Sequence, residues 1–582
     1  MRPMRNLMAV TLMLLIHSNT PSQVKLAYNE NKTPQWHEII DMYKELDQSY
    51  KHARLTVIGE TDAGKPLHLF IISGNGSFTP ERAHDADQRI ILINNGIHPG
   101  ESNGIDASLE FAAELLAGKN ELDAFMEQTV ILIIPVFNVG GTLNRSPYHR
   151  ANQNGPEEHG FRGNARNLDL NRDFVKMDSR NARSLVQTIH AWDPHIFIDT
   201  HSTNGADYPY TITIIPSHPQ SLVEPQSSFM QDEMMPHLFN AMDNSPYKMF
   251  QYVNEFNKSP EFGFEGFIDY PRYLAGYATT FQILSFTIET HMLKPYHERV
   301  LSTKYLLEEF VRFTHEHGDV ITENKLAAIG AIRQRKEHVV KWNNDTTMFD
   351  MLTFNGYRAK TRKSSVTGLD MIWYDQHDPW TTEIPFYNYF TPATVIEPPD
   401  YYLIPGTWHE VIERLKYSHI EMEQFKNDTS LTVESYTIEN YQTTAGPYNG
   451  HYWHYDTETS REHVEIKFYA GDYIIPASQR GAYYLAHTLE PQGYDSFFSW
   501  NFFDEILARQ EYFSPYLFEE NAEQLLETDL ELRAMFNEKK KNDPSFASNG
   551  YSQLRWIYER SPWSEPTYLR YPVYRFTGKI SY

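Results

Sequence analysis

The sequence predicts an α/β fold: a mixed, mostly parallel sheet with helices on both faces, followed by a C-terminal β-rich module and a helical tail. Uninterrupted apolar runs such as 129–136 are typical of strands that are buried on both faces. They alternate with segments of helical apolar spacing such as 296–316. Beyond about residue 342 the composition changes, because Tyr, Thr, Trp and Pro become frequent and short alternating runs indicate antiparallel strands.

Each predicted element rests on a local pattern. Apolar or alternating runs bounded by Gly, Pro, Asn or Asp predict strands at 54–59, 67–73, 89–95, 129–136, 195–200, 211–215 and 281–289. Apolar residues spaced by three and four predict helices at 36–49, 178–192, 296–316, 324–341 and over 500–542, beginning with FDEILARQ. The segment 138–161 is rich in Gly, Asn and Pro, and a loop of that length inside a compact domain is usually functional.

The length indicates several domains. A chain of 582 residues is too long for one hydrophobic core, and a typical size of about 150 residues suggests roughly two to four domains. We place an α/β domain that carries the candidate site at 30–341, a β-rich accessory domain at 342–499 and a helical, aromatic-rich C-terminal segment at 500–582.

Residues 1–22 have the order of a secretory signal peptide. Arg2 and Arg5 precede the apolar run 7–16, and small and polar residues follow it. This run is too short to span a bilayer. We therefore expect an exported protein, periplasmic or extracellular, with no integral membrane segment after removal of the signal. A hydrophobic N-terminus without a targeting role is the alternative.

Charge and cysteine content exclude some classes of function. The formal net charge is −25, and no basic patch of the kind that nucleic acid requires is evident, so we expect no nucleic-acid partner. The chain has no Cys, which excludes cysteine nucleophiles, thiolate zinc sites and disulfides.

Three candidate metal ligands follow predicted strands. His98 and Glu101 share the Pro-Gly turn after strand 89–95, and His201 follows strand 195–200. Ligands of open α/β sheets bind beyond the carboxyl ends of the strands. Two imidazoles and one carboxylate, with a fourth position open to water, are a donor set of catalytic zinc. Each of these residues alone also fits a structural role, but together they predict a zinc site.

Further side chains suit the chemistry of such a site. Glu289 ends an apolar strand that would partly desolvate its carboxyl, which suits a general base that takes a proton from water. Arg172 beside Asn171 can clamp a carboxylate through two hydrogen bonds, and Arg150 can donate to an oxyanion. The ordinary alternatives are a solvated carboxylate, a structural salt bridge and a solvated loop arginine.

Five motifs occur in an order and at spacings that resemble the zinc carboxypeptidase family, typified by pancreatic carboxypeptidase A. They are HPGE at 98–101, IPVFN with a Gly pair at 134–141, DLNRDF at 169–174, DTHS at 199–202 and TIET at 287–290. The resemblance covers about residues 36–320 and implies a catalytic domain of this family.

The resemblance also implies roles for particular residues. The metal ligands that it implies, for one Zn²⁺ per catalytic domain, are His98, Glu101 and His201. Glu289 would be the general base, and Arg150 would polarise the scissile carbonyl. The residues that it implies for the terminal carboxylate of the substrate are Asn171 and Arg172. The tyrosine that caps the substrate in the family has two candidate counterparts, Tyr273 and Tyr277.

The leading hypothesis is therefore an exported zinc metallocarboxypeptidase. It would remove the C-terminal residue of peptides that have a free carboxylate, by metal-activated water with Glu289 as general base. One alternative is a hydrolase of a cell-wall cross-link or another amide with a free carboxylate, because the same clamp would serve it. The other is a peptide-binding protein with little catalytic turnover.

Overall fold

The computed structural model describes residues 24–203 and 205–580. The predicted signal peptide, 1–22, lies outside the described residues. The strands are β1 Ala53–Glu60, β2 Pro66–Ile72, β3 Arg89–Asn94, β4 Thr129–Ile134, β5 Arg145–Ser146, β6 His159–Gly160, β7 Ile196–Thr203, β8 Ile212–Pro216, β9 Met249–Gln251, β10 Phe264–Glu265, β11 Leu284–His291, β12 His338–Asn344, β13 Asp350–Lys363, β14 Asp370–Tyr387, β15 Phe390–Ile396, β16 Tyr401–Ile404, β17 Glu423–Gln424, β18 Thr429–Thr443, β19 His454–Phe468, β20 Tyr473–Pro476 and β21 Tyr574–Phe576. The α-helices are α1 Trp36–Ser49, α2 Pro80–Asp85, α3 Asn103–Leu116, α4 Val139–Leu143, α5 Arg180–Trp192, α6 Gln226–Phe229, α7 Met235–Asp243, α8 Leu274–Thr280, α9 Tyr296–Glu316, α10 Gly318–Gln334, α11 His409–Tyr417, α12 Ala482–Leu489, α13 Pro515–Thr528, α14 Leu530–Asn542, α15 Pro544–Ala547 and α16 Gly550–Tyr558.

An eight-stranded mixed sheet forms the centre of the N-terminal half, in the order β1-β2-β4-β3-β7-β11-β8-β9. The four strands β4, β3, β7 and β11 are parallel neighbours, and β8 pairs antiparallel with β11. Side chains of β3, β4 and β7 are buried on both faces, which explains why these strands appear in the sequence as unbroken apolar runs. The predicted fold class is confirmed.

Two hydrophobic cores cover the two faces of this sheet. On one face α1, α3 and α9 pack over the strands. On the other face the core continues from α5 and α8 into α11, α12 and the aromatic residues of the C-terminal half. The C-terminal half is therefore packed against the α/β sheet through a shared core. The predicted domain boundaries stay a prediction.

The C-terminal half contains a six-stranded sheet in the order β17-β20-β16-β21-β18-β19. The long hairpin β18–β19 is part of this sheet, and a second long hairpin, β13–β14, forms a three-stranded sheet with β10. The helices α13 to α16 follow, and β21 then returns to pair with β16 and β18. A β-rich part and a helical segment are thus both present, as the sequence predicts.

Two helix predictions differ from the structure. In the predicted helical segment 500–542, only the 3₁₀ turn Asp504–Leu507 forms before α13 begins at Pro515. The pattern predicts a helix over 324–341, but α10 begins at Gly318 and ends at Gln334. His338 and Val339 instead pair with Ile396 and Val395 of β15. Pairing with a strand that lies far away in the sequence overrides the local pattern at these residues. Among the described residues, no helix combines the length and hydrophobicity that a membrane span needs.

A buried carboxyl on α3 makes the fold sensitive to pH. Asp106 is fully buried, and it accepts hydrogen bonds from the hydroxyls of Tyr296 at 2.7 Å and Thr33 at 2.9 Å. Burial raises the pKa of Asp106 from 3.8 to about 7, although these two bonds oppose the rise. Folding therefore favours the protonated acid, and ionisation of Asp106 destabilises the folded state.

We expect the free energy of unfolding to fall as pH rises from about 4 to about 7, by up to about 4 kcal/mol from this group alone. Asp106→Asn should remove that part of the pH dependence, because the amide stays uncharged. Chemical denaturation of both proteins at pH 5 and pH 8 measures the effect, with the exposed Asp85→Asn as control. An unchanged pH dependence in Asp106→Asn would contradict the prediction.

Candidate metal centre and substrate cavity

The candidate site lies at the carboxyl ends of three adjacent parallel strands. His98 and Glu101 follow β3, His201 lies on β7, and Glu289 lies on β11. Glu289 and His201 are direct register partners. The sheet therefore brings together residues that are separated by up to about two hundred positions in the sequence.

A tight turn presents the first two residues. The amide of Glu101 donates to the carbonyl of His98 at 2.8 Å, which closes the turn His98-Pro99-Gly100-Glu101. A Cβ atom at Gly100 would lie only 2.4 Å from Arg150 Nε. Glycine is thus required here so that Arg150 can approach the turn.

His98, Glu101 and His201 form one buried group. Their candidate ligand atoms all lie within 4.8 Å of one another. Glu101 lies 3.2 Å from His98 Nδ1 through Oε1 and 2.9 Å from His201 Nδ1 through Oε2. Burial raises the pKa of Glu101, but Arg150 and His98 outweigh burial and hold it well below its usual range. A carboxylate and two imidazole nitrogens thus converge on one point.

Two further carboxylates orient the imidazoles. Asp169 lies 2.9 Å from His98 Nε2, and Asp199 lies 2.9 Å from His201 Nε2. When a carboxylate holds Nε2–H, the Nδ1 lone pair is the one that can bind a metal ion, which is the arrangement of metal-binding histidines. The residues therefore fit a zinc ion that would be held by His98, Glu101 and His201.

The sequence prediction did not assign these two carboxylates. Asp199 is two residues before His201 on one strand, and residues two apart on a strand share a face. The sequence spacing therefore indicates that the Asp199 carboxylate lies beside the His201 ring. Asp169 lies in the DLNRDF motif, but only the fold brings it to His98.

We expect Asp199→Asn to weaken zinc binding by about 10–100-fold, because the amide no longer fixes the tautomer of His201. Asp199 also accepts from Asn94 Nδ2 at 2.8 Å, so the variant retains a polar contact there. Competition with a chromophoric chelator measures the affinity. Asp207→Asn is the control, because Asp207 is a buried carboxyl outside the candidate metal group. Equal zinc affinities in the two variants would contradict the role of Asp199 in orienting His201.

Glu289 faces the same cavity with an unsatisfied carboxyl. Its Oε2 atom is buried and has no hydrogen-bond partner among the described residues. Burial raises the pKa of Glu289 to about 8, with His201 opposing the rise and Glu101 adding to it. A carboxyl with this pKa can both take and release a proton near neutral pH.

Two arginines border the metal group. Arg150 Nη2 donates to Glu101 Oε1 at 2.5 Å, with 13% of its side chain exposed. Arg162 donates through Nε to Asp169 at 2.9 Å and is more exposed. Arg162 is a cavity residue that the sequence prediction missed.

The predicted carboxylate clamp lies in the same cavity. Asn171 and Arg172 lie on the 3₁₀ turn Leu170–Arg172, and the amide of Leu274 donates to Asn171 Oδ1 at 3.0 Å. The guanidinium carbon of Arg172 lies 4.4 Å from the centre of the Tyr273 ring. Positive charge is thus held at one end of the cavity, beside an aromatic face.

The two candidate capping tyrosines are in different places. Tyr273 lines the cavity, whereas Tyr277 is fully buried in the core, where its hydroxyl is bonded to His190 at 2.7 Å and Ser418 at 2.9 Å. The structure therefore does not bring Tyr277 to the site, and only Tyr273 stays a candidate for substrate contact. The predicted residues that do line this cavity of about 310 Å³ are His98, Glu101, Arg150, Asn171, Arg172, His201, Tyr273 and Glu289.

The chain is similar to known carboxypeptidases. The family model described as zinc carboxypeptidase matches residues 39–295. Carboxypeptidase 2 of Trichophyton equinum is 20% identical over 441 residues, which cover 70% of this chain and 73% of that protein. Carboxypeptidase 2 of Trichophyton tonsurans matches with the same identity and coverage.

Solved structures are similar over about half of the chain. A metallo-carboxypeptidase from Burkholderia cenocepacia is 18% identical, with a TM-score of 0.37, over 49% of this chain and 69% of its own. The carboxypeptidase A from Helicoverpa armigera is 14% identical, with a TM-score of 0.37, over 51% of this chain and 77% of its own.

The fold and the family match define a zinc-dependent hydrolase. Residues 39–295 match the zinc carboxypeptidase family model, in agreement with the resemblance of the five motifs, and the predicted enzyme class is confirmed. The His-Glu-His group within this segment is the kind of metal site that such a family requires.

Proposed function

We propose that the protein is an exported zinc metallocarboxypeptidase that hydrolyses the C-terminal peptide bond of peptides. The observation that carries the proposal is that one cavity contains a candidate metal group, an Asn-Arg pair and the carboxyl of Glu289, whose Oε2 has no hydrogen-bond partner among the described residues. These are the groups needed to cleave an amide bond next to a free carboxylate.

The substrate would be held by its terminal carboxylate. Arg172 and Asn171 offer N–H groups to the two carboxylate oxygens, a fork geometry that Lys does not provide. Tyr273 would pack over the terminal residue. Ile215, Phe256 and Phe267 also line the cavity, so an apolar terminal side chain is the best fit to its walls.

His98, Glu101 and His201 would hold one zinc ion per catalytic domain, which when bound lowers the pKa of water and polarises a carbonyl. Glu289 would take the proton of the attacking water at Oε2 and pass it to the leaving amine. Arg150 would donate to the oxygen of the scissile carbonyl as negative charge develops there.

Export and domain organisation are part of the proposal. The order of residues 1–22 supports a signal peptide and hence a periplasmic or extracellular location. We assign catalysis to 30–341 and an accessory role to 342–499 and 500–582.

A panel of peptides with free or amidated C-termini tests the proposal with zinc-loaded and chelated protein. We expect release of the terminal residue from free-acid peptides only, and none after chelation. Zinc binding without cleavage of any peptide would reject this function in favour of another amide with a free carboxylate. Cleavage of amidated peptides at equal rates would reject the carboxylate clamp.

A further inference from the structure

A tight turn of the C-terminal half reaches the carboxylate clamp. It connects β18 and β19 at Tyr448-Asn449-Gly450-His451, where Tyr448 and His451 form a two-residue hairpin through backbone bonds of 2.7 and 3.2 Å. Asn449 and Gly450 both have positive φ, at 49° and 87°. Asn-Gly is the sequence that favours such a turn, so this local geometry is encoded in the turn itself.

Three residues of this turn bond to the segment that carries the clamp. Tyr448 accepts a hydrogen bond from Arg172 Nε at 2.9 Å. Asn449 Oδ1 accepts from the amide of Asp169 at 3.2 Å, and His451 Nε2 lies 2.8 Å from Asp178. The turn thus spans the segment from the carboxylate that orients His98 to the residues after the clamp.

The bond to Tyr448 determines which edge of the Arg172 guanidinium remains available. Nε is bonded to Tyr448, and one N–H of Nη1 donates to the carbonyl of Asn171 at 2.7 Å. In the described part of the chain, no acceptor is bonded to Nη2 or to the second N–H of Nη1. With Nε occupied, the donors that remain for a carboxylate are those of Nη2 and one N–H of Nη1, and arginine binds carboxylates through two parallel bonds from such groups.

Arg272 ties the segment that carries Tyr273 to the C-terminal half. It is buried, and it donates to Asp495 through its amide at 2.9 Å and through Nε at 2.7 Å. Its guanidinium carbon lies 4.6 to 5.7 Å from the centres of four aromatic rings, those of Trp453, Tyr494, Trp500 and Tyr448. Arg272 directly precedes Tyr273, so contacts with the C-terminal half also position the aromatic face under Arg172.

We propose that Tyr448 is a positioning residue for substrate binding: it fixes the Arg172 guanidinium so that its Nη edge meets the terminal carboxylate. The inference rests on the proposed carboxypeptidase function for its substrate. It assigns to the C-terminal half a direct part in forming the substrate site.

Tyr448→Phe tests the inference, because it removes the acceptor and retains the ring that stacks against Trp500. We expect KM for free-acid peptides to rise about tenfold with kcat changed less than about twofold, since the clamp binds ground state and transition state alike. Calorimetry with N-acetyl-L-phenylalanine should show the same loss of affinity, and its amide should bind both proteins equally weakly. Tyr452→Phe, an exposed tyrosine on the same connection, is the matched control and should leave all values unchanged.

The outcomes separate this inference from the proposed function. Unchanged KM and Kd in Tyr448→Phe would overturn the inference. An equal loss of affinity for the acid and for the amide, together with a lower Tm, would also overturn it. If the wild type cleaves no peptide but binds the acid in a manner that depends on Tyr448, the inference stands and the proposed function falls. If the wild type binds neither probe, the inference falls.

Discussion

Replacing Glu289 by Gln is expected to lower kcat by about 10²–10⁴-fold while zinc stays bound. The amide has nearly the same shape as the carboxyl, but it cannot accept a proton from water. Glu289 is a register partner of His201 and is not a member of the His98-Glu101-His201 group, so metal affinity should change little.

The surroundings of Glu289 explain the expected size of the effect. Oε2 is buried without a hydrogen-bond partner in the described residues, and burial raises the pKa of this carboxyl to about 8. A base with a pKa near the working pH transfers protons efficiently. A zinc ion held by His98, Glu101 and His201 would favour the ionised form of Glu289 and lower the pKa of this carboxyl.

Steady-state kinetics over pH 5 to 9 measures the prediction. Glu289 must be ionised to accept a proton, so kcat/KM of the wild type should rise as pH rises through the pKa of this carboxyl. That rise should be absent in Glu289→Gln. Glu309→Gln, a buried glutamate on α9, is the control. A variant that retains both rate and pH profile would exclude Glu289 as the base.

The sequence predicted the parts of the site that depend on local pattern. The unbroken apolar runs of β3, β7 and β11 identified buried strands, and chemically suited residues at their ends then had to lie at one edge of the sheet. The carboxyl ends of parallel strands meet there, so the sequence predicts that His98, His201 and Glu289 lie close together.

Features that depend on long-range packing were not predictable in this way. Tyr273 and Tyr277 are both near α8, but Tyr273 has extended backbone before the first turn, whereas Tyr277 is in the helix and faces His190 and Ser418. No local pattern distinguishes them. Tyr448 lies 276 residues from Arg172, so its contact arises only when the C-terminal half packs on the sheet.

Removal of zinc is expected to lower kcat/KM by about 10³-fold or more and to leave the fold intact. The loss follows because zinc contributes several kcal/mol of charge stabilisation to hydrolysis. The fold should persist because Glu101 keeps bonds to Arg150, to the amide of Ser202 at 2.9 Å and to His201 without a metal. The buried group is thus internally paired, which avoids the cost of an isolated charge.

Activity and circular dichroism of chelated protein check both parts of this prediction. One equivalent of zinc should restore the activity of chelated wild type but not that of His201→Ala, which lacks one of the three donors. The exposed His377→Ala should behave like the wild type. Full activity after exhaustive chelation would exclude a catalytic metal. Unfolding on chelation would instead show that the metal supports the fold. The hydrogen bonds of Glu101 would then be too weak, without the metal, to hold the carboxyl ends of β3 and β7 together.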